Sequence, residues 1–300
     1  MTASDPSRLI VILGPTASGK SALAMELARQ LSGQILCVDS MTVYRGMNIG
    51  TAKPSPAERQ EIPHHLLDVV EPDQPFTVAR FVEMADAVIA SATTPLIATG
   101  GTPLYYKSLF QGLFDGPPAD LDLRQRLLDQ GNVALHAKLQ EVDPAAAARI
   151  HLNDSKRLVR ALEVWELTGQ PITYWQQEWS TGKLRHKATF VGLLWDKEPL
   201  NRRINARVKG MMDASWLEEV RALLTRYGTL SQTAAEATGY AELIQHTQGR
   251  MALIDAVEHT KIATRQLARK QMKWFRRFAD VRWLPGDAPL AELVQMVISQ

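Results

Sequence analysis

Residues 9–21 read LIVILGPTASGKS, and this stretch decides the fold of the chain. Its first five residues are apolar and rich in β-branched side chains, which predicts a strand buried on both faces of a parallel sheet. The next eight match the pattern G-x-x-x-x-G-K-[ST], in which glycines let successive backbone N–H groups point at a phosphate. Apolar residues then recur at helical spacing as far as Leu31, so the positive end of a helix faces the same phosphate.

This loop predicts binding of a substrate that carries two or more linked phosphates. Lys20 would supply a point charge, and the hydroxyl of Ser21 could hold Mg²⁺. The pattern does not distinguish ATP from another diphosphate, so a P-loop kinase for a nucleotide or small molecule is one alternative. The predicted phosphate-binding residues are Gly14, Pro15, Thr16, Ala17, Ser18, Gly19, Lys20 and Ser21.

Two further apolar runs end in segments suited to a binding site. Residues 35–39 (ILCVD) end on Asp39, and residues 95–101 (PLIATGG) end on two glycines. Strands that alternate with helical patterns predict a parallel sheet covered by helices on both faces. Ligands of such sheets bind beyond the carboxyl ends of the strands. We therefore expect Gly14, Asp39 and Gly101 to converge.

The pattern changes near residue 115. From residue 120 to about residue 179 it is helical, and residues 189–195 (TFVGLLW) then return to a strand pattern. Long helical patterns follow. We therefore predict an α/β fold: a P-loop parallel sheet flanked by helices, formed by residues 1–114 and 188–300, with an all-helical insertion formed by residues 115–187.

Basic residues are concentrated near the end of the chain, although the net charge is only +2. Residues 261–282 hold eight basic residues and one acidic residue. Such a stripe on a nearly neutral protein points to a polyanionic partner, whereas a charge run more often marks a solvated helix face. One helix face would carry the basic residues spaced four apart, which are Lys261, Arg265, Arg269 and Lys273.

Composition excludes several classes of protein. The single cysteine, Cys37, rules out a disulfide framework and a cysteine-based zinc module. No run approaches the roughly 18 apolar residues of a membrane span, and the first residues lack the features of a signal peptide. We expect a cytoplasmic protein with no membrane partner. The pair His64 and His65 has no second histidine or cysteine cluster beside it, which favours a structural role over metal binding.

Residues 39–54 read DSMTVYRGMNIGTAKP. This stretch resembles a motif of the tRNA dimethylallyltransferase (isopentenyl-tRNA transferase) family, which has the form D-S-x-x-[VI]-Y-x-G-M-x-I-G-T-A-K-P. The resemblance is colinear from about residue 9 to residue 278 and so covers nearly the whole chain. Its other segments are residues 63–68 (PHHLLD), 100–105 (GGTPLY), 143–151 (DPAAAARIH), 157–164 (RLVRALEV) and 264–274 (TRQLARKQMKW).

The resemblance implies Mg²⁺-dependent transfer of a dimethylallyl group from dimethylallyl diphosphate to tRNA. The acceptor would be the exocyclic amine of the adenosine immediately 3′ of the anticodon. That amine must lose a proton, and Asp39 is the candidate general base, with magnesium ligation as its alternative role. The resemblance makes Thr102 a contact to the amine and the leaving group, although hydroxyls in turns often cap the local backbone. It makes Arg207 a clamp on the diphosphate, where the residues alone suggest a solvated helix position.

The resemblance also implies that the target base leaves the anticodon loop and enters a channel in the protein. It assigns the basic stripe to tRNA phosphates. Thr42 departs from the glutamine of many relatives, and Ala241 from their usual basic residue. The predicted contacts to the anticodon stem-loop are Asp39, Ser40, Met41, Thr42, Thr102, Arg124, Lys156, Arg157, Leu158, Val159, Arg160, Gly239, Tyr240, Arg269, Lys270, Gln271, Lys273, Trp274 and Arg276.

Two other functions compete with this interpretation. A P-loop kinase would consume ATP, which the prenyl transfer does not need. An RNA-binding module could use the P-loop only as a regulatory nucleotide switch, in which case loss of the Asp39 carboxylate would leave its activity unchanged. In each case we expect the protein to be a monomer.

Overall fold

The computed structural model describes residues 9–113, 116–176 and 184–299. The chain divides into two compact units. The sheet unit comprises Met1–Leu109 with His186–Gln300, and the helical unit comprises Phe110–Arg185. The predicted boundary between residues 114 and 115 lies outside the described residues, so the predicted domain limits stay a prediction.

The described part of the sheet unit contains one sheet of six parallel strands. Its central strand is β1, whose residues are all buried, and Val11 pairs with Ala98 on one side and with Phe190 on the other. The strands are β1 (Leu9–Leu13), β2 (Gln34–Cys37), β3 (His64–His65), β4 (Leu96–Thr99), β5 (Thr189–Leu194) and β6 (Arg282–Pro285). Their order across the sheet is β3-β2-β4-β1-β5-β6, which confirms the predicted α/β class.

Helices account for most of the remaining described residues. None of them is both long and apolar enough to cross a membrane. In the first half of the chain they are α1 (Lys20–Leu31), α2 (Pro56–Glu61), α3 (Val78–Ser91), α4 (Pro103–Gln111), α5 (Leu121–Asp129), α6 (Gly131–Val142) and α7 (Pro144–Ala147). In the second half they are α8 (Ser155–Thr168), α9 (Ile172–Trp175), α10 (Lys197–Asp213), α11 (Trp216–Tyr227), α12 (Gln232–Ala235), α13 (Tyr240–Thr247), α14 (Leu253–Phe275) and α15 (Leu290–Ile298).

Helix α1 is fixed to the sheet by its apolar face. Leu23 and Leu27 are fully buried and belong to one hydrophobic cluster with Ile12 of β1 and Ile35 of β2. Burying a leucine side chain contributes about 1.5–3 kcal/mol, so these contacts hold the start of α1 firmly at the end of β1. The loop between the two elements is thereby placed at the carboxyl edge of the sheet.

Two strands, β3 and β6, were not predicted from the sequence. β3 has only two residues, His64 and His65, and a pair of histidines gives no apolar period. Both side chains hydrogen-bond within the sheet unit: His64 Nδ1 lies 2.7 Å from the Ile62 carbonyl oxygen, and His65 Nε2 lies 2.6 Å from Gln34 Oε1. β6 starts with Arg282 and contributes one buried residue, so it too lacks a strand pattern.

Candidate functional site

The phosphate loop, residues 14–19, joins β1 to α1 and carries a buried lysine at its end. Lys20 is only 8% exposed, and its ammonium donates to the Pro15 carbonyl oxygen at 2.7 Å. The Leu23 N–H donates to the Gly19 carbonyl at 3.1 Å, so the helix starts directly from the loop. The strand, loop and helix predicted from residues 9–31 are all present.

Two cavities adjoin this loop. The larger has a volume of about 410 Å³ and the smaller about 340 Å³, and Lys20, Ser21 and Arg207 line both. The loop residues Ala17, Ser18 and Gly19 line the smaller cavity, whereas Gly14 and Pro15 line neither. Of the predicted site residues, those that line the larger cavity are Thr16, Lys20, Ser21, Asp39, Ser40, Met41, Thr42, Thr102, Arg207, Tyr240 and Gln271.

The two cations of the site are held at an electrostatic cost. The pKa of Lys20 is lowered to about 7, chiefly by burial and then by the neighbouring charge of Arg207, while Asp39 opposes both effects. Burial likewise lowers the pKa of Arg207, again opposed by Asp39. A bound anion would relieve the repulsion between these groups and favour their charged forms. Arg207 is half-buried and lines both cavities, so it is not the solvated helix residue that the local sequence alone suggests.

Asp39 is held in place by backbone N–H groups. Its Oδ1 accepts from Met41 N at 2.8 Å and from Thr42 N at 3.4 Å, and its Oδ2 accepts from Gly101 N at 2.9 Å. A Cβ on Gly101 would lie 2.9 Å from Oδ2, so the approach requires glycine. A carboxylate has about four acceptor positions, and these three bonds leave capacity for a ligand in the cavity. The predicted convergence of the ends of β2 and β4 is confirmed.

Thr102 joins the same two strand ends. Its Oγ1 accepts from Ser40 N at 2.8 Å and donates to Ser40 Oγ at 3.0 Å. The N–H groups of Tyr105 and Tyr106 donate to the backbone carbonyl of Thr102, and these bonds begin α4. The hydroxyl instead fixes the segment that follows Asp39, beside the larger cavity.

Two other predicted tRNA contacts, Gln271 and Thr42, are both buried but differ in their hydrogen bonds. The side chain of Gln271, on α14, is buried; its Oε1 accepts from Thr16 N at 2.8 Å and its Nε2 donates to the Gly101 carbonyl at 2.6 Å. Gln271 therefore ties the phosphate loop to the glycine turn after β4. Thr42 is also buried and lines the larger cavity, and its hydroxyl has no hydrogen-bond partner among the described residues.

Glu219 is a site residue that the sequence did not reveal. Its carboxylate accepts from Asn48 N at 2.9 Å, from Ile49 N at 2.8 Å and from the Tyr240 hydroxyl at 2.6 Å. Burial, and then Glu219, raise the pKa of Tyr240. Tyr240 and Gly50 both line the larger cavity, so Glu219 fixes two parts of its wall. A glutamate in the first turn of a helix carries no signal of such distant partners.

Lys53 and Asp68 form an ion pair that was not predicted from the sequence. The Lys53 side chain is fully buried and lines the larger cavity, and its ammonium donates to the Tyr44 carbonyl at 2.5 Å and to Asp68 at 2.6 Å. Arg59 also pairs with Asp68 at 2.6 Å. Burial lowers the pKa of Lys53, partly offset by Asp68. These bonds join the segment of residues 50–54 (GTAKP) to the segment of residues 64–68 (HHLLD).

In the helical unit, two of the predicted RNA contacts, Arg124 and Arg160, form hydrogen bonds with a glutamate of the same unit. Glu163 is fully buried and accepts from Arg124 at 2.8 and 2.9 Å and from Arg160 at 2.6 Å. Burial opposes ionisation of Glu163, but these hydrogen bonds outweigh it and lower the pKa. The side chains of Leu158 and Val159 pack in the core of this unit, which leaves only their backbone for the predicted contacts with RNA. The exposed candidates of this segment are Lys156 and Arg157.

The basic stripe on α14 is shorter than predicted. Lys261 pairs with Glu258 at 2.5 Å, and Arg265 donates to Asn205 on α10 at 2.6 Å. Exposed basic residues at the end of the helix include Arg269, Lys270, Lys273 and Arg276. Beside them, Lys107 Nζ and Arg277 Cζ lie 5.9 and 5.7 Å from the centroid of the Trp274 ring. Gly239, the last predicted contact, immediately precedes α13.

The strand, phosphate loop and helix, set in a parallel sheet with a buried lysine, define a P-loop protein. The chain belongs to the IPP transferase family, whose model matches residues 42–278. A second family model, described as isopentenyl transferase, matches residues 7–70, which include the phosphate loop. The resemblance found in the sequence is thus confirmed.

Individual relatives match over nearly their whole length. The chain is 44% identical to the tRNA dimethylallyltransferase of Geobacter metallireducens, covering 95% of this chain and 96% of that protein. It superposes on the tRNA isopentenylpyrophosphate transferase of Bacillus halodurans with a TM-score of 0.72 at 34% identity, covering 97% and 94% of the two chains. It also resembles a eukaryotic dimethylallyltransferase acting on tRNA, with a TM-score of 0.81 at 27% identity, covering 98% and 77%.

The pKa of Lys20 predicts how anion binding depends on pH. In the free protein the ammonium is half protonated near pH 7, and a bound anion favours the charged form. Affinity for inorganic pyrophosphate should therefore fall as the pH rises above 7, by up to about tenfold per unit, with proton uptake on binding. Calorimetry in buffers of different ionisation enthalpy measures both quantities.

Lys20→Arg is the matched control, because a guanidinium stays charged over this range. The titration of pyrophosphate itself is common to both proteins, so their difference isolates Lys20. Equal proton uptake by the two proteins would show that Lys20 is already fully protonated.

The bonds of Glu219 predict the effect of Glu219→Gln. The carboxamide NH2 is a donor, so it would oppose either the N–H groups of Asn48 and Ile49 or, when turned toward the Tyr240 hydroxyl oxygen, the Gly50 N–H. We expect a loss of about 2 kcal/mol in the free energy of unfolding and faster hydrogen exchange at residues 48–50. Glu218→Gln, at an exposed neighbour paired with Arg221, should change neither by much. Exchange rates unaffected by Glu219→Gln would contradict the assigned role.

Proposed function

We propose that this protein transfers the dimethylallyl group of dimethylallyl diphosphate to the exocyclic amine of the adenosine 3′ of the anticodon in tRNA. The observation that carries this proposal is that Asp39, the buried Lys20 and the half-buried Arg207 line one cavity. Leaving-group stabilisation and proton removal are thereby available side by side. The names of the relatives, such as the tRNA dimethylallyltransferase of Geobacter metallireducens, favour prenyl transfer over a kinase.

The donor half of the reaction uses the phosphate loop. As the bond between the prenyl carbon and the diphosphate oxygen breaks, negative charge grows on the diphosphate. Lys20, Arg207 and the N–H groups of the loop are positioned to stabilise that charge, the kind of preorganised electrostatic effect that contributes most to many enzymes. The diphosphate departs whole, so the loop stabilises a leaving group and hands on no phosphoryl group.

The donor set at the loop fits Mg²⁺ bound chiefly through the substrate. Ser21 lines both cavities and offers a hydroxyl oxygen. The described residues contain no group of three or more His, Cys, Asp or Glu side chains that could hold a metal. Mg²⁺ commonly takes one or two protein oxygens together with substrate phosphates. Ser21 would thus hold the ion against the diphosphate, where it neutralises charge on the leaving group.

The acceptor half of the reaction uses Asp39. The carboxylate, oriented by the N–H groups of Met41 and Gly101, accepts the proton that the adenosine amine loses as its nitrogen bonds to the prenyl carbon. Thr102, fixed on Ser40, lies beside this carboxylate. The buried, unpartnered hydroxyl of Thr42 would gain a hydrogen-bond partner from the edge of an incoming base.

The tRNA would be held by the exposed end of α14. Arg269, Lys270, Lys273 and Arg276 can neutralise phosphates there, and the Trp274 ring offers a face on which an unstacked base could lie. In the helical unit, Lys156 and Arg157 would contribute further phosphate contacts. We place the protein in the cytoplasm as a monomer, with the anticodon stem-loop as its partner.

The reaction itself separates the proposal from a kinase. Labelled dimethylallyl diphosphate and tRNA, without ATP, should give labelled tRNA with the wild-type protein. Asp39→Asn should lower the turnover number about 10²–10⁴-fold, because the amine loses its proton acceptor, while tRNA affinity stays within a few-fold. Filter assays of transfer and a separate binding titration measure the two effects.

The control for this substitution is Asp255→Asn, at an exposed carboxylate in the first turn of α14. It should leave both quantities unchanged. A requirement for ATP would overturn the proposed reaction, and retention of turnover within a few-fold in Asp39→Asn would exclude Asp39 as the base.

The assignment of α14 predicts a change in salt dependence. Lys273→Ala should weaken tRNA binding and reduce the slope of log affinity against log salt by roughly 0.7–0.9, the release of one counterion from a phosphate. Lys209→Ala, at an exposed lysine paired with Asp213, is the matched control and should leave the slope unchanged. An unchanged slope for Lys273→Ala would mean that this end of α14 is only a solvated surface.

A further inference from the structure

The outer side of the phosphate loop is held by two side chains from distant parts of the chain. Trp195, directly after β5, donates from its indole Nε1 to the Ser18 carbonyl oxygen at 3.0 Å. Arg203, on α10, donates from Nε to the Ala17 carbonyl oxygen at 2.8 Å. The guanidinium carbon of Arg203 lies 4.6 Å from the centroid of the Trp195 ring, so the two side chains also support each other.

These contacts control which way the loop amides point. A peptide unit is planar, with its C=O and N–H on opposite sides, so holding the Ser18 carbonyl outward aims the Gly19 N–H inward. The Ala17 carbonyl fixes the Ser18 N–H in the same way, and that N–H donates within the loop to the Pro15 carbonyl oxygen at 3.2 Å. Ala17 has a φ of +63°, a left-handed conformation that residues other than glycine rarely adopt. This strained turn needs support from outside the loop.

Gly286 provides the space in which the indole sits. It follows β6, and a Cβ on this residue would lie 2.0 Å from Trp195 Nε1. The Gly286 N–H also donates to the Leu194 carbonyl at 2.6 Å, which draws the two strand ends together. The position of the indole nitrogen against the phosphate loop is therefore fixed from behind by the backbone of a third segment.

We propose that Trp195 is a positioning residue for the diphosphate. Its indole N–H holds the Ser18 carbonyl and keeps the Gly19 N–H directed into the smaller cavity, which Gly19 lines. Trp195 lines neither cavity, so it acts through the loop and makes no contact with the anion. The inference rests on the proposed function only for the identity of the diphosphate ligand.

The direct test is Trp195→Phe, which keeps an aromatic ring beside Arg203 but removes the N–H donor. Its affinity for inorganic pyrophosphate with Mg²⁺, measured by calorimetry, should fall roughly tenfold. The KM for dimethylallyl diphosphate should rise while the KM for tRNA and the Tm stay near their wild-type values. A purely structural role would instead lower Tm and affect both substrates together.

Gly286→Ala is a second variant: its Cβ would displace the indole nitrogen without any change in the loop or in Trp195, and because it would also lie 2.7 Å from the Leu194 carbonyl oxygen, some loss of Tm is expected. It should weaken pyrophosphate binding in the same way. The controls are Trp283→Phe, at a tryptophan on β6 that lines neither cavity, and Gly210→Ala, where a Cβ meets nothing within 4 Å. Both should bind pyrophosphate like the wild type.

Pyrophosphate affinity within twofold of the wild type for Trp195→Phe and Gly286→Ala would overturn the inference. So would a parallel loss of tRNA affinity and Tm in Trp195→Phe. Neither result would touch the proposed reaction, which the transfer assay with the wild-type protein tests separately.

Discussion

The buried charge of Lys20 is the constraint on which the rest of the site depends. An ammonium in a protein interior is unfavourable unless it is paired, and here a carbonyl oxygen and the more distant Asp39 offset only part of that cost. Arg207, half-buried, is a second basic group that lines the same cavity. Two basic groups therefore lie close together at the carboxyl edge of the sheet. An anion is the ligand that relieves the repulsion between them.

The loops around this charge are kept in position by side chains from elements that lie far away in the sequence. Gln271 of α14 bridges the phosphate loop and the turn after β4, and Asp39 binds that same turn. Glu219 of α11 holds the segment around Ile49. Trp195 and its neighbour on α10 hold the back of the phosphate loop. Irregular loops have few hydrogen bonds of their own, so these bonds supply the rigidity that a catalytic site requires.

Charge available for RNA differs from charge counted along the chain. Arg124 and Arg160 are directed at the buried Glu163, and Arg265 at a side chain of α10, so their guanidinium groups stabilise the protein itself. Arg269, Lys270, Lys273 and Arg276 are exposed and have no ion-pair partner within the part of the chain that the structure describes. An exposed cation can release counterions when it meets a phosphate, whereas a paired one must first give up its partner.

The sequence by itself determined the P-loop, the four longer apolar strands and the meeting of Asp39 with Gly101. These features follow from local periodicity and from the rule that ligands bind at the carboxyl ends of parallel strands. Its long motifs also determined the family, which the comparisons confirmed. The predicted roles of individual residues in catalysis and RNA binding stay predictions.

Only the tertiary structure decided which side chains support those motifs and which are buried away from any ligand. Glu219 and Ile49 lie 170 positions apart in the chain, and Trp195 and Ser18 lie 177 apart. Leu158 and Val159 belong to a core whose other members come from four further helices. No period or spacing encodes such pairs, because they exist only once the sheet and its covering helices have brought distant segments together.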